Sequence, residues 1–440
     1  MRPIAKTPAL ERRVLPGGQA LRELSGEQWL SKMLALVPAE VERPWVWLAP
    51  HDGMAMVGWG RTARFEASGD TAVSTAWSAF RRWTQSVGID APAFGSFPLS
   101  PAQQGFLVVP EVMLVREGRG RPTEVIATAS AVEHLIPGSV AKAGVASTRT
   151  PSDPGATPSG GSSSRDSTEP NPPITLQELN TADSRNHWTR AVEATTSMLG
   201  RPDQQVQKVV LSRAVDFSAN RQVDQRRIAT WLAAHHADCW VFAHEGLVGA
   251  TPELLVEMRD GVFRCRILAG TRTHGWEGEL LSDPKERREH ELSVASVTSR
   301  LGQAGLTEPQ VKGPFLLALP NVTHLATDIL ARSENSTSAH ITDVLFPTAA
   351  ICGTPRGLAF EQIQRVEGLD RGRFSGPVGW IAPDGSGQWG LALRCAMIAP
   401  GGRSARLFAG AGILPDSRPD KEWHETQAKM APMREALQQG

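Results

Sequence analysis

Between Ser147 and Pro173 the chain is dominated by Ser, Thr, Pro, Gly and Asp, with hardly a large apolar residue. Such a stretch buries too little surface to offset the entropy of ordering it. The sequence therefore reads as an N-terminal part of the fold over 1–146 and a second region over 174–440, joined by a disordered low-complexity loop over 147–173. At 440 residues there is material for two or three average domains or one large one. Lys plus Arg and Asp plus Glu stand at 46 each, so no global field draws the protein to nucleic acid or an anionic membrane. Any charged ligand must be captured locally. The opening MRPIAKTPALERRVLPGG has no long apolar stretch, and nowhere do ~18 apolar residues follow one another. A cytoplasmic protein without signal peptide or membrane partner is expected. Cys239, Cys265, Cys352 and Cys395 are widely spaced in apolar or Gly-containing segments and read as buried free thiols.

Periodicity divides the chain into strands and helices. WVWLAP (45–50), MAMVGWG (54–60), GFLVVPEVMLVREGRGR (105–121) and TEVIATAS (123–130) read as strands, interrupted by a helix over 71–88. Glu117 to Gly120 suggests a hairpin turn, which would leave Arg116, Arg119 and Arg121 in solvent. Beyond the loop, a helix is expected to begin near Thr175, followed by a strand at QVQKVVLSRAVDF. Another helix over 221–237 ends in His235 and His236, whose side chains point about 100° apart and do not make a metal pair.

Two helix starts bring carboxylates together. Ser282-Asp283-Pro284 offers a cap and a first-turn proline, so 285–301 should be helical with Glu286 and Glu289 on one face. Ser417, Pro419 and Asp420 precede a second helix in which Glu422 and Glu425 repeat the i, i+3 spacing. Paired helices of this kind suit a hard cation such as Mg²⁺, although either helix alone is equally a solvated acidic face. Arg394 lies in an apolar, strand-like run, where an unpaired charge is costly, and so needs an anionic partner from the protein or a ligand. Lys429 lies one turn beyond Glu425. Gly270, Thr271 and Gly410 allow close backbone approach but fit ordinary turns as well. His324 in its apolar setting is either a structural residue or a site residue. Lys208 is either a surface lysine at a strand start or a buried general base.

Nine segments resolve these alternatives by resemblance. KVVLSRAV (208–215), ATPELLVEM (250–258), ILAGTRT (267–273), KERREHEL (285–292), HLATDI (324–329), FPTAAICGTPRG (346–357), FSGPVGW (374–380), WGLALRCAMI (389–398) and LFAGAGILPDSRPDKEWHETQAK (407–429) resemble, in order, the chorismate-utilising enzymes. The resemblance covers about residues 200 to 440. It implies an α+β fold of two packed, mainly antiparallel sheets flanked by helices, the aminodeoxychorismate synthase-like fold, with the active site in a deep cleft. It also implies Mg²⁺ bound by Glu289 and Glu425 with Glu286 and Glu422 beside them, and substrate contacts from Gly270, Thr271, His324, Ala350, Arg394, Gly410 and Lys429. Lys208 matches the base of members that activate water rather than ammonia, and Glu253 matches the general acid.

The resemblance is closest to isochorismate synthase, an isomerase that adds water at C2 of chorismate and expels the C4 hydroxyl. No glutaminase subunit is then required, and a monomer is expected. Ala350 and Phe374 stand where salicylate synthases, the alternative, carry hydroxyl-bearing residues; an aminating enzyme or a non-catalytic ligand-binding relative fits less well. Phe346 departs from the His found in many relatives. Isochorismate serves both menaquinone and siderophore biosynthesis.

Overall fold

The computed structural model describes residues 10–50, 53–136, 174–179, 181–273 and 277–440. The 147–173 stretch lies outside the described residues. Strands apolar on both faces dictate the architecture. In Trp45–Leu48 the two tryptophans join a core with Met54, Met56 and Phe242, while Val46 and Leu48 join another with Ala55, Val57 and Val241. Side chains alternate along a strand, so a run buried throughout must be covered on both sides. One cover is a second sheet, which contributes Phe94, Val256 and Trp389 to the first core. The other is a helical layer that includes Trp29, Ile228 and Met433.

The larger sheet runs in the order Leu10–Val14, Thr123–Thr128, Val112–Glu117, Met54–Trp59, Trp45–Leu48, Trp240–His244, Leu247–Thr251, Cys395–Ile398, Ser404–Ile413, Lys208–Ala219, Gly353–Thr354, with Leu176–Leu179 also on Lys208–Ala219. The smaller runs Thr307–Ala318, Val322–Arg332, Val262–Thr273, Leu254–Arg259, Gly387–Leu391, Pro377–Ile381, Ala93–Ser96, Gly105–Val109, Ala63–Ala67. The pairings among the described strands are antiparallel, so this is the expected α+β fold of two packed sheets. Trp45–Leu48 pairs with Trp240–His244, and Ala93–Ser96 with Pro377–Ile381. Residues before 147 thus fill positions inside both sheets.

Several local expectations need correction. Thr175 leads into the strand Leu176–Leu179, and the helix starts only at Thr181, because the outer edge of Lys208–Ala219 captures the intervening backbone. Arg116 is buried: it faces the core from Val112–Glu117, donates to Gly53 O at 3.2 Å and Leu24 O at 2.9 Å, and lies 5.3 Å from the Trp29 ring centre. Arg119 and Arg121 are exposed as expected. Arg394 is outside any strand, at a bend between Gly387–Leu391 and Cys395–Ile398 with φ 48°.

Asp283 does cap Pro284–Thr298, accepting from Lys285 N at 2.9 Å and Glu286 N at 3.2 Å. The helix Pro419–Gln439 has no such cap. Ser417 Oγ accepts from Leu414 N at 3.1 Å instead, tying down the preceding turn. The four cysteines are free and buried.

Candidate active site

Lys208 opens the strand Lys208–Ala219 and is fully buried. Its Nζ donates to Ser293 Oγ at 3.0 Å and lies 3.1 Å from Glu289 Oε1. Both partners sit on Pro284–Thr298 one turn apart, so a single helix face meets the lysine. Ser293 is fixed by donating to the Glu289 carbonyl at 2.9 Å. Opposite, Gly412 leaves room for this contact: a Cβ there would stand 2.1 Å from Glu289 Oε1.

A cleft of about 680 Å³, counting the space open to solvent, lies beside this group. Glu253, Gly270, Thr271, Glu289, His324, Ala350, Arg394, Gly410 and Lys429 line it. Lys208, Glu286, Glu422 and Glu425 are not among its lining residues; the first, second and fourth contact Glu289, Thr271 and Lys429, which are, whereas Glu422 pairs with Lys285, which is not.

The four helix carboxylates converge with three lysines. Glu286 Oε2 accepts from Thr271 N at 2.8 Å, Glu422 pairs with Lys285 at 2.8 Å, and Glu425 pairs with Lys429, which also donates to Gly410 O at 3.0 Å. Burial, then the charges of Glu289 and Glu425, push the Glu286 carboxyl up to about 8. Burial, then Glu425, pushes Glu422 up to about 7. Burial would raise Glu289 too, but Lys208, Lys429 and Lys285 together hold it below the usual carboxylate range. Among the described residues no three metal-ligating side chains converge on one point. The donor chemistry nonetheless suits Mg²⁺, which takes only one or two carboxylates and keeps its remaining positions for water and substrate oxygens.

Glu253 follows Thr251-Pro252 and is almost wholly buried. Burial pushes its carboxyl up to about 8 despite the opposing charges of Lys208 and Lys429 and a backbone hydrogen bond at Leu268. It is therefore protonated at neutral pH, as a general acid must be.

His324 links two cleft residues across the smaller sheet, with Nδ1 3.0 Å from Thr271 Oγ1 and Nε2 2.7 Å from Arg394 Nη2. Burial, reinforced by Arg394 and Lys429, holds its pKa well below the ordinary value, so the ring is neutral. A guanidinium can only donate, so Nε2 accepts, Nδ1 carries the proton and Thr271 Oγ1 receives it. The Thr271 hydroxyl proton is left to donate elsewhere. Burial pushes Arg394 down to about 10, still cationic near neutrality. Among the described residues no carboxylate lies within ion-pair reach of Arg394, so the anionic partner expected from the sequence is not a protein side chain. The fork remains available to a ligand carboxylate.

A family model described as chorismate binding enzyme matches residues 30–438. The chain belongs to this family. It is 32% identical over 266 residues to the isochorismate synthase MenF of Bacillus subtilis, an alignment covering 58% of this chain and 56% of that one. It is 34% identical over 269 residues to the salicylate biosynthesis isochorismate synthase of Pseudomonas aeruginosa, with the same coverages, 58% and 56%. The chain thus spans little more than half the length of these curated relatives. Among solved structures, the menaquinone-specific isochorismate synthase MenF from Escherichia coli superposes with a TM-score of 0.73 at 25% identity, over 98% of this chain and 96% of that one. Anthranilate synthase component I from Streptococcus pneumoniae shares the fold with a TM-score of 0.57 at 17% identity, over 96% and 99% of the two chains.

Sequence reasoning missed several residues of this chorismate binding enzyme's cleft. Nothing local singles out Ser293 and Lys285, which lie on the same helix as Glu286 and Glu289. Gly412 stands in the same AGAG motif as Gly410, and its significance lies in what opposes it. Arg371 and Ser375 line the cleft, and Phe408 stacks on Phe374 with ring centres 4.9 Å apart and planes 10° apart.

Proposed function

We propose that this protein is an isochorismate synthase that adds water at C2 of chorismate and releases the C4 hydroxyl as water, a net isomerisation. The observation that carries this reading is a fully buried lysine held 3.1 Å from the cleft residue Glu289, beside a lining carboxyl whose pKa is raised to about 8 and a partly buried lining arginine with no carboxylate partner among the described residues. Lys208 Nζ takes a proton from the attacking water as the C2–O bond forms. Glu253 gives its proton to the C4 oxygen as that bond breaks. A lysine acts as base only without its proton, so its contact with Glu289 must be released during the cycle while Ser293 keeps Nζ oriented. Arg394, oriented through neutral His324, and Lys429 with Gly410, Gly270 and Thr271 would hold the substrate's carboxylates.

Mg²⁺ would be held by Glu289 and Glu425, with Glu286 and Glu422 beside them, and when bound supplies positive charge for the ring carboxylate. Neither Ala350 nor Phe374 carries the hydroxyl that the resemblance gives salicylate synthases at these two positions, which supports release of isochorismate over elimination to salicylate. Lys208 supports water as nucleophile, with no glutaminase subunit. We read the enzyme as a cytoplasmic monomer; among the described residues no helix is long and apolar enough to cross a membrane.

The test is incubation of purified protein with chorismate and Mg²⁺, followed by chromatographic separation of isochorismate, salicylate, anthranilate and aminodeoxychorismate. Isochorismate alone is expected. A strict ammonia requirement, or full activity after exhaustive chelation, would overturn the assignment.

A further inference from the structure

Among the described residues, the outer edge of Lys208–Ala219 is covered by strands only at its ends. Gly353–Thr354 pairs with Lys208 and Val209, and Leu176–Leu179 pairs from Asp216 to Ala219. In between, two side chains take the place of a strand. The Val210 carbonyl accepts from Arg371 Nη2 at 2.7 Å, and the Ser212 amide donates to Glu367 Oε2 at 2.7 Å. Arg371 and Glu367 grip each other fork to fork, Nε to Oε1 at 2.6 Å and Nη2 to Oε2 at 2.6 Å, with only 4% and 2% of their side chains exposed. The remaining arm, Arg371 Nη1, donates to Ile351 O at 2.9 Å.

Each contact ends on a wall of the cleft. Val210 and Ser212 share the face of the strand that Lys208 begins, Ile351 adjoins Ala350, and Arg371 leads into Phe374. A buried ion pair is often no more stabilising than apolar residues of the same volume, so stability alone does not account for this one. Geometry does. We propose that the Glu367–Arg371 pair is a positioning device for catalysis, setting the Lys208 strand at a fixed distance from the Ala350–Ile351 and Phe374 walls that enclose the substrate. The proposal rests on the isochorismate synthase reading above. Arg371 lines the cleft, but its Nε, Nη1 and Nη2 are engaged by Glu367, Ile351 O and Val210 O, so the pair acts through the backbone of the elements it holds.

The test uses R371K, whose ammonium cannot form the fork, R371M, and E367Q, which keeps an acceptor for the Ser212 amide. Turnover of chorismate is measured per mole of folded enzyme, with amide exchange followed by mass spectrometry. A 1 Å loss of register costs ~10²-fold in rate, so kcat should fall between about tenfold and a hundredfold, further in R371M than in R371K, with a smaller change in KM. Exchange should rise in the peptide spanning 208–216 and stay unchanged in Ala72–Val87. Should R371K not fold, E367Q carries the test. Wild-type enzyme that makes no isochorismate overturns the functional reading and this proposal with it. Wild-type turnover alongside folded variants of unchanged kcat and exchange overturns this proposal alone, as does a rate loss no larger than the loss of folded protein.

Discussion

Gly412→Ala should separate activity from stability. An added Cβ would stand 2.1 Å from Glu289 Oε1, 2.6 Å from Glu289 Cδ and 2.9 Å from Lys208 Cε. Comfortable contact needs about 3.5 Å, so Oε1 must withdraw by roughly 1.4 Å. That is enough to disturb its 3.1 Å contact with Lys208 Nζ and the direction in which Glu289 faces the cleft. Misplacement on this scale costs ~10²-fold in rate, equivalent to about 2.7 kcal/mol of activation free energy. The fold should tolerate the change, because the atoms in the way are the ends of flexible side chains. Replacing Gly also recovers about 0.4–1 kcal/mol through the unfolded chain. Steady-state kinetics with chorismate should therefore show kcat near one hundredth of wild type, and calorimetry a Tm within a few degrees. A kcat within twofold of wild type would refute the reasoning, since it would mean that Glu289 can move without consequence.

Glu253 predicts the alkaline limb of the pH profile. Its raised pKa keeps the acid protonated below about 8, so kcat should fall tenfold per pH unit above that value. Glu253→Gln should remove this limb and ~10²–10⁴-fold of the rate; an unchanged limb in the variant would assign it to another group. Lys208→Gln should abolish isochorismate formation yet yield traces of aminated product at high ammonium and elevated pH, and near wild-type turnover would remove Lys208 as the base. Asp283→Ala removes the acceptor of two helix amides and should cost about 1 kcal/mol, read from denaturant unfolding, with no loss being the contrary result. Gly357→Ala, in the first turn of Arg356–Val366 with nothing within 4 Å of the new methyl, should stabilise by about 0.5–1 kcal/mol and leave kcat unchanged; a destabilised variant would contradict this.

Much of the fold is written locally. Trp45–Leu48 and Met54–Trp59 read as strands because every position is apolar, and that same property requires two covered faces. The Asp283-Pro284 start fixes the helix and with it the common face of Glu286 and Glu289. The order of nine motifs carries the family. The polar contacts that make the cleft were not legible in the same way. Lys208 meets a serine 85 positions away, Arg394 meets His324 across 70, and Ser212 reaches Glu367 across 155. Arg116 shows the same limit: as a residue near a turn it reads as solvated, and only the neighbouring Gly53 and Leu24 carbonyls make its burial possible. Thr175 looked like a helix start until a free strand edge, unseen in the local sequence, claimed the residues after it. The reason is physical. Periodicity and capping depend on neighbours within one or two turns, whereas these contacts depend on sheet register, in which a slip of one residue turns every side chain to the opposite face. The sequence by itself determined which residues could bear the chemistry; the register of the two sheets and the seating of Pro284–Thr298 and Pro419–Gln439 against them decided which of those residues meet.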